Sequence, residues 1–142
     1  MIQIVSPTYH ISHTASILET ALKKRLQASG LGITPEQLGM LRLLYAQSET
    51  VSMNFISDHT FRDHSSVTRI ISTLEKNEFV MRTDSDSDKR KQCIGISETG
   101  RQIFLKASKV AELHVKQAMK GISSKDQKAI VNAMNLINEN LK

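Results

Sequence analysis

The stretch from Met53 to Phe104 leaves this chain few folds to choose from. In order, its residues predict a short helix, a turn, a helix with one polar face, a strand, a charged eight-residue loop, a second strand and the start of a long helix. The polar-faced helix starts at Asp63, a good N-cap, and runs through Lys76. Helical geometry, about 100° per residue, gathers Val67, Ile70, Ile71 and Leu74 on one side. Ser65, Arg69, Ser72 and Lys76 fall on the other, flanked by Ser66, Thr68 and Thr73. Strands are predicted from Phe79 to Thr83 and from Gln92 to Ile96, the second with Ile94 and Ile96 inward. Their connection, Asp84 to Lys91, is too long for a tight hairpin turn and must project.

The flanking sequence is helical. Ser6-Pro7 starts a helix whose stripe runs through Ile11, Ala15, Leu18, Leu22 and Leu26 until Gly30 and Gly32 end it. Thr34-Pro35-Glu36-Gln37 opens the next, a capping-box pattern, with Leu38, Leu41, Leu44 and Tyr45 as its buried side. Ser52 caps the short helix that carries Phe55 and Ile56. Ser97 caps the long one, with Ile103, Ala107, Val110, His114 and Ala118 aligned, and Gly121 breaks it. Ser123 caps a last helix with Ile130, Met134, Ile137 and Leu141. The fold class is therefore mainly α with a small β-hairpin wing, a winged helix-turn-helix flanked by terminal helices. A single domain over 1–142 is expected, with the winged helix at 34–100 and dimerisation helices at 1–30 and 101–142. The terminal stripes lack a partner within one subunit, and soluble proteins avoid exposed apolar patches of that size, so a two-fold homodimer is expected.

The polar face and the wing point to nucleic acid. Short hydroxyl side chains let a helix settle into the major groove, where they reach base edges or phosphates, and arginine reaches guanine or phosphate. Candidate contacts are Arg62 in the preceding turn and Ser65, Ser66, Thr68, Arg69 and Ser72 on the helix. A plain solvated face is the competing account of the hydroxyls. In the loop, Lys89 and Arg90 lie beside Lys91, and one arginine there can enter the narrow, negative minor groove. Asp88, two residues from Arg90, would orient its guanidinium by a charge-assisted bond. Bulk charge argues less: the chain carries a net +5, yet Met53 to Lys106 holds nine basic and eight acidic residues.

Val67-Thr68-Arg69-Ile70-Ile71-Ser72-Thr73-Leu74-Glu75 resembles the recognition helix of the MarR family of bacterial transcription regulators. Asp88-x-Arg90, then Ile94-x-Ile96-Ser97-x-x-Gly100, resembles that family's wing motif and the helix start after it. The likeness extends from the first helix to the last. It implies a homodimer joined through the terminal helices, with recognition helices in successive major grooves and Arg90 in the minor groove. It also implies a small-molecule effector cleft between the dimer helices and the winged helix. Where the family has glycine before the first wing strand, this chain has Asn77-Glu78-Phe79, and Asn can also take the left-handed cap conformation.

Other sites compete less well. Cys93, the single cysteine, lies in the second wing strand; a redox sensor and a passive strand residue are the two readings, and the passive one is preferred. His10 and His13, one turn apart, and His114 on the long helix would suffice for zinc only with a further ligand, so no metal and no cofactor are expected. His59 and His64 flank the turn as surface or capping residues, and the methionines at 40, 53, 81, 119 and 134 are read as core filling. No phosphate-cradling glycine loop, Gly-x-Ser-x-Gly elbow or His-Glu-x-x-His helix is present, so no enzyme is expected. Without a charged, apolar leader or a membrane-length run, the expectation is a cytoplasmic protein with no membrane partner. The sequence leads to a dimeric transcriptional regulator on a pseudo-palindromic duplex operator, a repressor released by a small molecule. The alternative is a winged-helix protein-interaction module with weak or no DNA binding.

Overall fold

The computed structural model describes residues 6–60, 62–85, 88 and 91–142. Among these residues, six helices and three short strands follow in the order α1 (Pro7–Ser29), α2 (Pro35–Tyr45), β1 (Val51–Ser52), α3 (Met53–Thr60), α4 (His64–Lys76), β2 (Val80–Asp84), β3 (Gln92–Ile96), α5 (Glu98–Ala118) and α6 (Ser124–Asn140). The antiparallel sheet has the order β1-β3-β2, with Val51 opposite Ile94 and Val80 opposite Ile96.

Helix starts follow local chemistry. Thr34 closes a capping box: its hydroxyl accepts from Gln37 N at 3.2 Å, and Gln37 Oε1 accepts from Thr34 N at 3.0 Å. The Ser52 hydroxyl accepts from Phe55 N at 3.1 Å, as expected of a cap. Ser97 and Ser123 do the same for Gly100 N and Asp126 N. Each such cap contributes about 1 kcal/mol.

Leu38, Leu41 and Leu44 of α2, Ile56 of α3, Val67, Ile70, Ile71 and Leu74 of α4, and Ile94 and Ile96 of β3 meet in one buried core. Burying each such side chain stabilises the fold by about 1.5–3 kcal/mol. Leu26, at the far end of α1, joins the same core, and Phe104, Ala107 and Ala111 of α5 close it. Tyr45, expected among the buried residues of α2, stays half out, its ring 4.6 Å from that of Phe104 and beneath the Arg101 guanidinium. The core-filling reading of the methionines holds for Met40, which is buried, and fails for Met81 and Met134, which are exposed.

Two details depart from expectation. Strand β1 was not foreseen, because two residues cannot display an alternation; only β3 lying alongside makes them a strand. Strand β2 begins at Val80 instead of Phe79, because the end of α4 consumes the residues before it. Phe79 N donates to Leu74 O and Glu78 N to Glu75 O, both at 2.9 Å, a Schellman closure. The left-handed residue is Glu78 (φ 60), whereas Asn77 stays at φ −86. Asparagine is thus not the substitute for the family's glycine. A glutamate takes the strained position, at about 1–2 kcal/mol.

At this same end of the sheet the Ser97 hydroxyl, besides capping α5, donates to Glu78 O at 2.6 Å, and Ser97 N donates to Phe79 O at 3.0 Å. This stitch brings α5 so near the α4–β2 junction that a Cβ on Gly100 would lie 2.0 Å from Phe79 O. The junction accepts only glycine.

Helix α6 differs from everything else. None of its residues is buried within the chain, although Ile130, Val131, Met134 and Leu136 line it. Ile17 and Tyr9 of α1 and Leu113 and Val115 of α5 are exposed in the same way.

Candidate nucleic-acid interface

Helix α4 is anchored on one side and chemically varied on the other. Its four inward residues are at most 5% exposed, so its rotation about its own axis is fixed. The outward arc then carries Ser65, Thr68, Arg69, Ser72, Thr73 and Lys76, all exposed, with Ser66 at the edge.

Asp63 organises the N-terminal end of that arc. Its carboxylate accepts from Ser66 N at 2.7 Å, from the Ser65 hydroxyl at 2.7 Å and from the Ser66 hydroxyl at 2.9 Å. The Ser66 backbone N–H first, then the two hydroxyls, hold its carboxyl down at about 2 from an ordinary 3.8. The two serines thereby present oriented oxygen lone pairs outward, their own protons being committed to Asp63. The Thr68 hydroxyl donates to His64 O and that of Thr73 to Arg69 O, so these too face outward as acceptors, with their methyl groups. Arg69 stands among them as a donor. Such an arc suits amino groups on base edges, and the guanidinium suits guanine or phosphate.

The remaining sequence candidates divide. Arg62 is drawn toward α2, its Nη1 lying 3.4 Å from Glu36 Oε1 with both side chains over a third exposed. The Ser72 hydroxyl accepts from Arg82 Nη2 at 3.2 Å. Lys89 and Arg90 lie outside the described residues, and so does the contact that the sequence assigns between Asp88 and Arg90. Among the histidines, His59 stacks on Phe55 with ring centroids 3.9 Å apart, and His64 is exposed. The His13 ring stacks on Tyr9, whereas His114 is buried on α5; among the described residues no three His, Cys, Asp or Glu side chains converge as a metal site would require. Cys93 sits half-buried in the central strand, between Ser52 and Thr83.

Sequence reasoning overlooked Arg82. It follows Val80 by two residues, so it shares the inward phase of β2 and meets α4 instead of solvent. An arginine in that phase, seven residues beyond Glu75, was the available signal.

A cavity of about 280 Å³ opens where α1, α2 and α5 meet the turn before α4. Leu18, Leu22 and Pro35 supply its apolar wall and Glu19, Glu36, Arg62 and His114 its polar groups. The His114 ring makes no hydrogen bond to any described residue. Arg62 is the residue directly before the Asp63 cap, so the cavity wall and the start of α4 are covalent neighbours.

A core-anchored second helix with an acceptor-rich outer arc, followed at once by a strand pair, defines a winged helix-turn-helix protein. Residues 33–91 match the model of the MarR family. The chain is similar to YfiV of Bacillus subtilis (strain 168), an uncharacterized HTH-type transcriptional regulator, with 24% identity over 128 residues that cover 84% of this chain and 79% of YfiV. Its fold matches Sco3205, a MarR family transcriptional regulator from Streptomyces coelicolor solved in complex with DNA, with a TM-score of 0.87 and 24% identity over 94% of this chain and 84% of that one. It also matches Bordetella bronchiseptica BpsR, whose DNA binding is regulated by 6-hydroxynicotinic acid, with a TM-score of 0.88 and 17% identity over 97% and 96% of the two chains.

Proposed function

We propose that this chain is a transcriptional regulator that binds duplex DNA as a homodimer and acts as a repressor released by a small molecule. The observation that carries this reading is α4: four inward side chains lock its rotation, and the face left outside is built of oriented hydroxyls and one arginine. Residues 34–100 are the reading unit in this proposal, and 1–30 with 101–142 supply the dimer helices. Two copies related by a two-fold axis place two such helices on one side of a duplex, which calls for a pseudo-palindromic operator. Ser65, Ser66, Thr68 and Arg69 meet the major groove, Ser72 lies at its edge, Arg62 meets the flanking backbone, and Lys89 and Arg90 meet the minor groove, with Asp88 orienting Arg90. Sco3205 in complex with DNA supports the class of partner.

The cavity beside Arg62 is the effector site in this reading, and the regulation of BpsR by 6-hydroxynicotinic acid supports a ligand of that kind. An exposed ion pair such as Arg62–Glu36 is worth at most about 1 kcal/mol. A ligand that breaks it therefore shifts the turn before α4 at little cost.

Selection from a random duplex pool at stated salt tests the function. An enriched inverted repeat, bound with an affinity that falls steeply with salt, is expected from counterion release. Arg69→Ala should then cost about 1–3 kcal/mol on the selected site and relax preference at one position in each half. Arg90→Ala should weaken all duplexes and flatten the salt slope by about one unit. No enrichment and no salt dependence would move the protein to the interaction-module reading.

A further inference from the structure

The Arg82 guanidinium is spent inside the molecule. Its Nε donates to Glu75 Oε2 at 2.7 Å, its Nη2 to Ser72 Oγ at 3.2 Å and its Nη1 to Gln92 Oε1 at 3.2 Å. Ser72 and Glu75 are three residues apart, so they stand one above the other on the same flank of α4. Arg82 is on β2 and Gln92 on β3, the strands that enter and leave the wing. One planar fork therefore ties both strands of the wing stem to two successive turns of the helix. Of the two salt bridges among the described residues, this one is the shorter and the less exposed on its basic side.

We propose that Arg82 is the positioning residue that fixes the offset between the reading helix and the wing, and through it the sequence preference of the protein. This rests on the DNA-binding reading given above. A protein that enters two grooves at once needs a set distance between its two probes, because a shift of about 1 Å breaks hydrogen bonds to base edges while phosphate contacts adapt. Core packing fixes α4 and holds Ile94 of β3, but β2 leaves the core beyond Val80, and the fork acts just there. It also neutralises Glu75, a carboxylate that would otherwise stand on the flank of the reading helix and repel phosphate. The geometry needs arginine specifically: a lysine ammonium carries the charge but cannot span three acceptors in one plane.

The test compares Arg82→Lys, Glu75→Gln and the wild-type dimer on the selected duplex and on a generic duplex across a salt series. Arg82→Lys should lower affinity for the selected duplex about tenfold and leave generic binding within about twofold, at an unchanged salt slope. Glu75→Gln should lower the same ratio, because it loosens the fork. If Arg82 instead grips phosphate, Arg82→Lys will match wild type. If Glu75 is a simple repulsive charge, Glu75→Gln will tighten every duplex. Either result overturns the proposal. Amide exchange in the free protein provides a readout without DNA: in Arg82→Lys, exchange over 80–84 and 92–96 should quicken about tenfold while α2 keeps its protection. Unchanged exchange there overturns the proposal as well. A wild-type protein that prefers no duplex would defeat the DNA-binding reading and leave the exchange experiment to decide whether the fork holds the stem.

Discussion

Helices α4 and α6 carry apolar residues at the same three- and four-residue spacing, and the chain treats them in opposite ways. Val67 and Ile71 of α4 are 0% exposed, whereas Ile130 and Met134 of α6 are 39% and 41% exposed and Leu141 is 81% exposed. The first stripe finds α2, α3 and β2 within the same subunit; the second has no buried residue among the described residues. Helix α1 shows both fates along its length, with Leu26 in the core and Ile17 outside it. Periodicity therefore announces a face to be covered and is silent about what covers it. We read the α4 face as half of a finished core and the α6 face as half of an interface that a second copy completes.

The contrast can be broken hardest at the joint between the two regions. Gly100→Ala drives a methyl group into the Phe79 carbonyl, which also accepts from Ser97 N, so neither side can yield cheaply. A loss of about 3 kcal/mol or more is expected in chemical denaturation. A near-neutral result would mean that α5 does not bear on the winged-helix body as closely as the structure has it.

Charge placed on the uncovered face should separate the subunits and spare the body. Ile17→Glu with Met134→Glu is expected to raise the dimer dissociation constant about 100-fold or more, because two carboxylates per subunit would have to be buried. Sedimentation equilibrium reads this directly. A wild-type protein that stays a folded monomer at micromolar concentration would end the interface reading.

The cap of α4 offers a finer probe. Asp63 has its folded pKa depressed to about 2, so its contribution is complete above the unfolded value of about 3.8 and is lost as pH falls through 2. Wild type should exceed Asp63→Asn in stability near neutral pH, and the gap should close between pH 4 and 2. A gap that stays constant over that range would show that the carboxylate charge is irrelevant to the cap.

Smaller still, Glu78→Gly should stabilise the body by about 0.5 kcal/mol, since relief of the left-handed strain exceeds the backbone entropy of glycine. A lower melting temperature would contradict it. Least of all is expected from Cys93→Ser: DNA affinity and its response to peroxide should match wild type, and peroxide release of the wild type alone would refute the passive reading.

Much of this molecule is settled by local chemistry, and so it was legible in the sequence. Helix starts at Thr34, Asp63, Ser97 and Ser123 depend on side chains within three residues of the cap, and the α4 stripe depends only on helical periodicity. The helix–turn–helix–hairpin order and its likeness to the MarR family follow from such short-range rules. The long-range pairings were decided in three dimensions. Val51–Ser52 is a strand only because β3 lies beside it. Glu78 is left-handed because α4 and β2 must meet at an angle set by their packing, which overrides the preference for Asn77. Arg62 leaves the surface arc for Glu36, twenty-six residues earlier, and Arg82 finds Ser72 and Gln92 at once. A charged side chain chooses among partners by distance, and distance between remote residues exists only after the core has assembled.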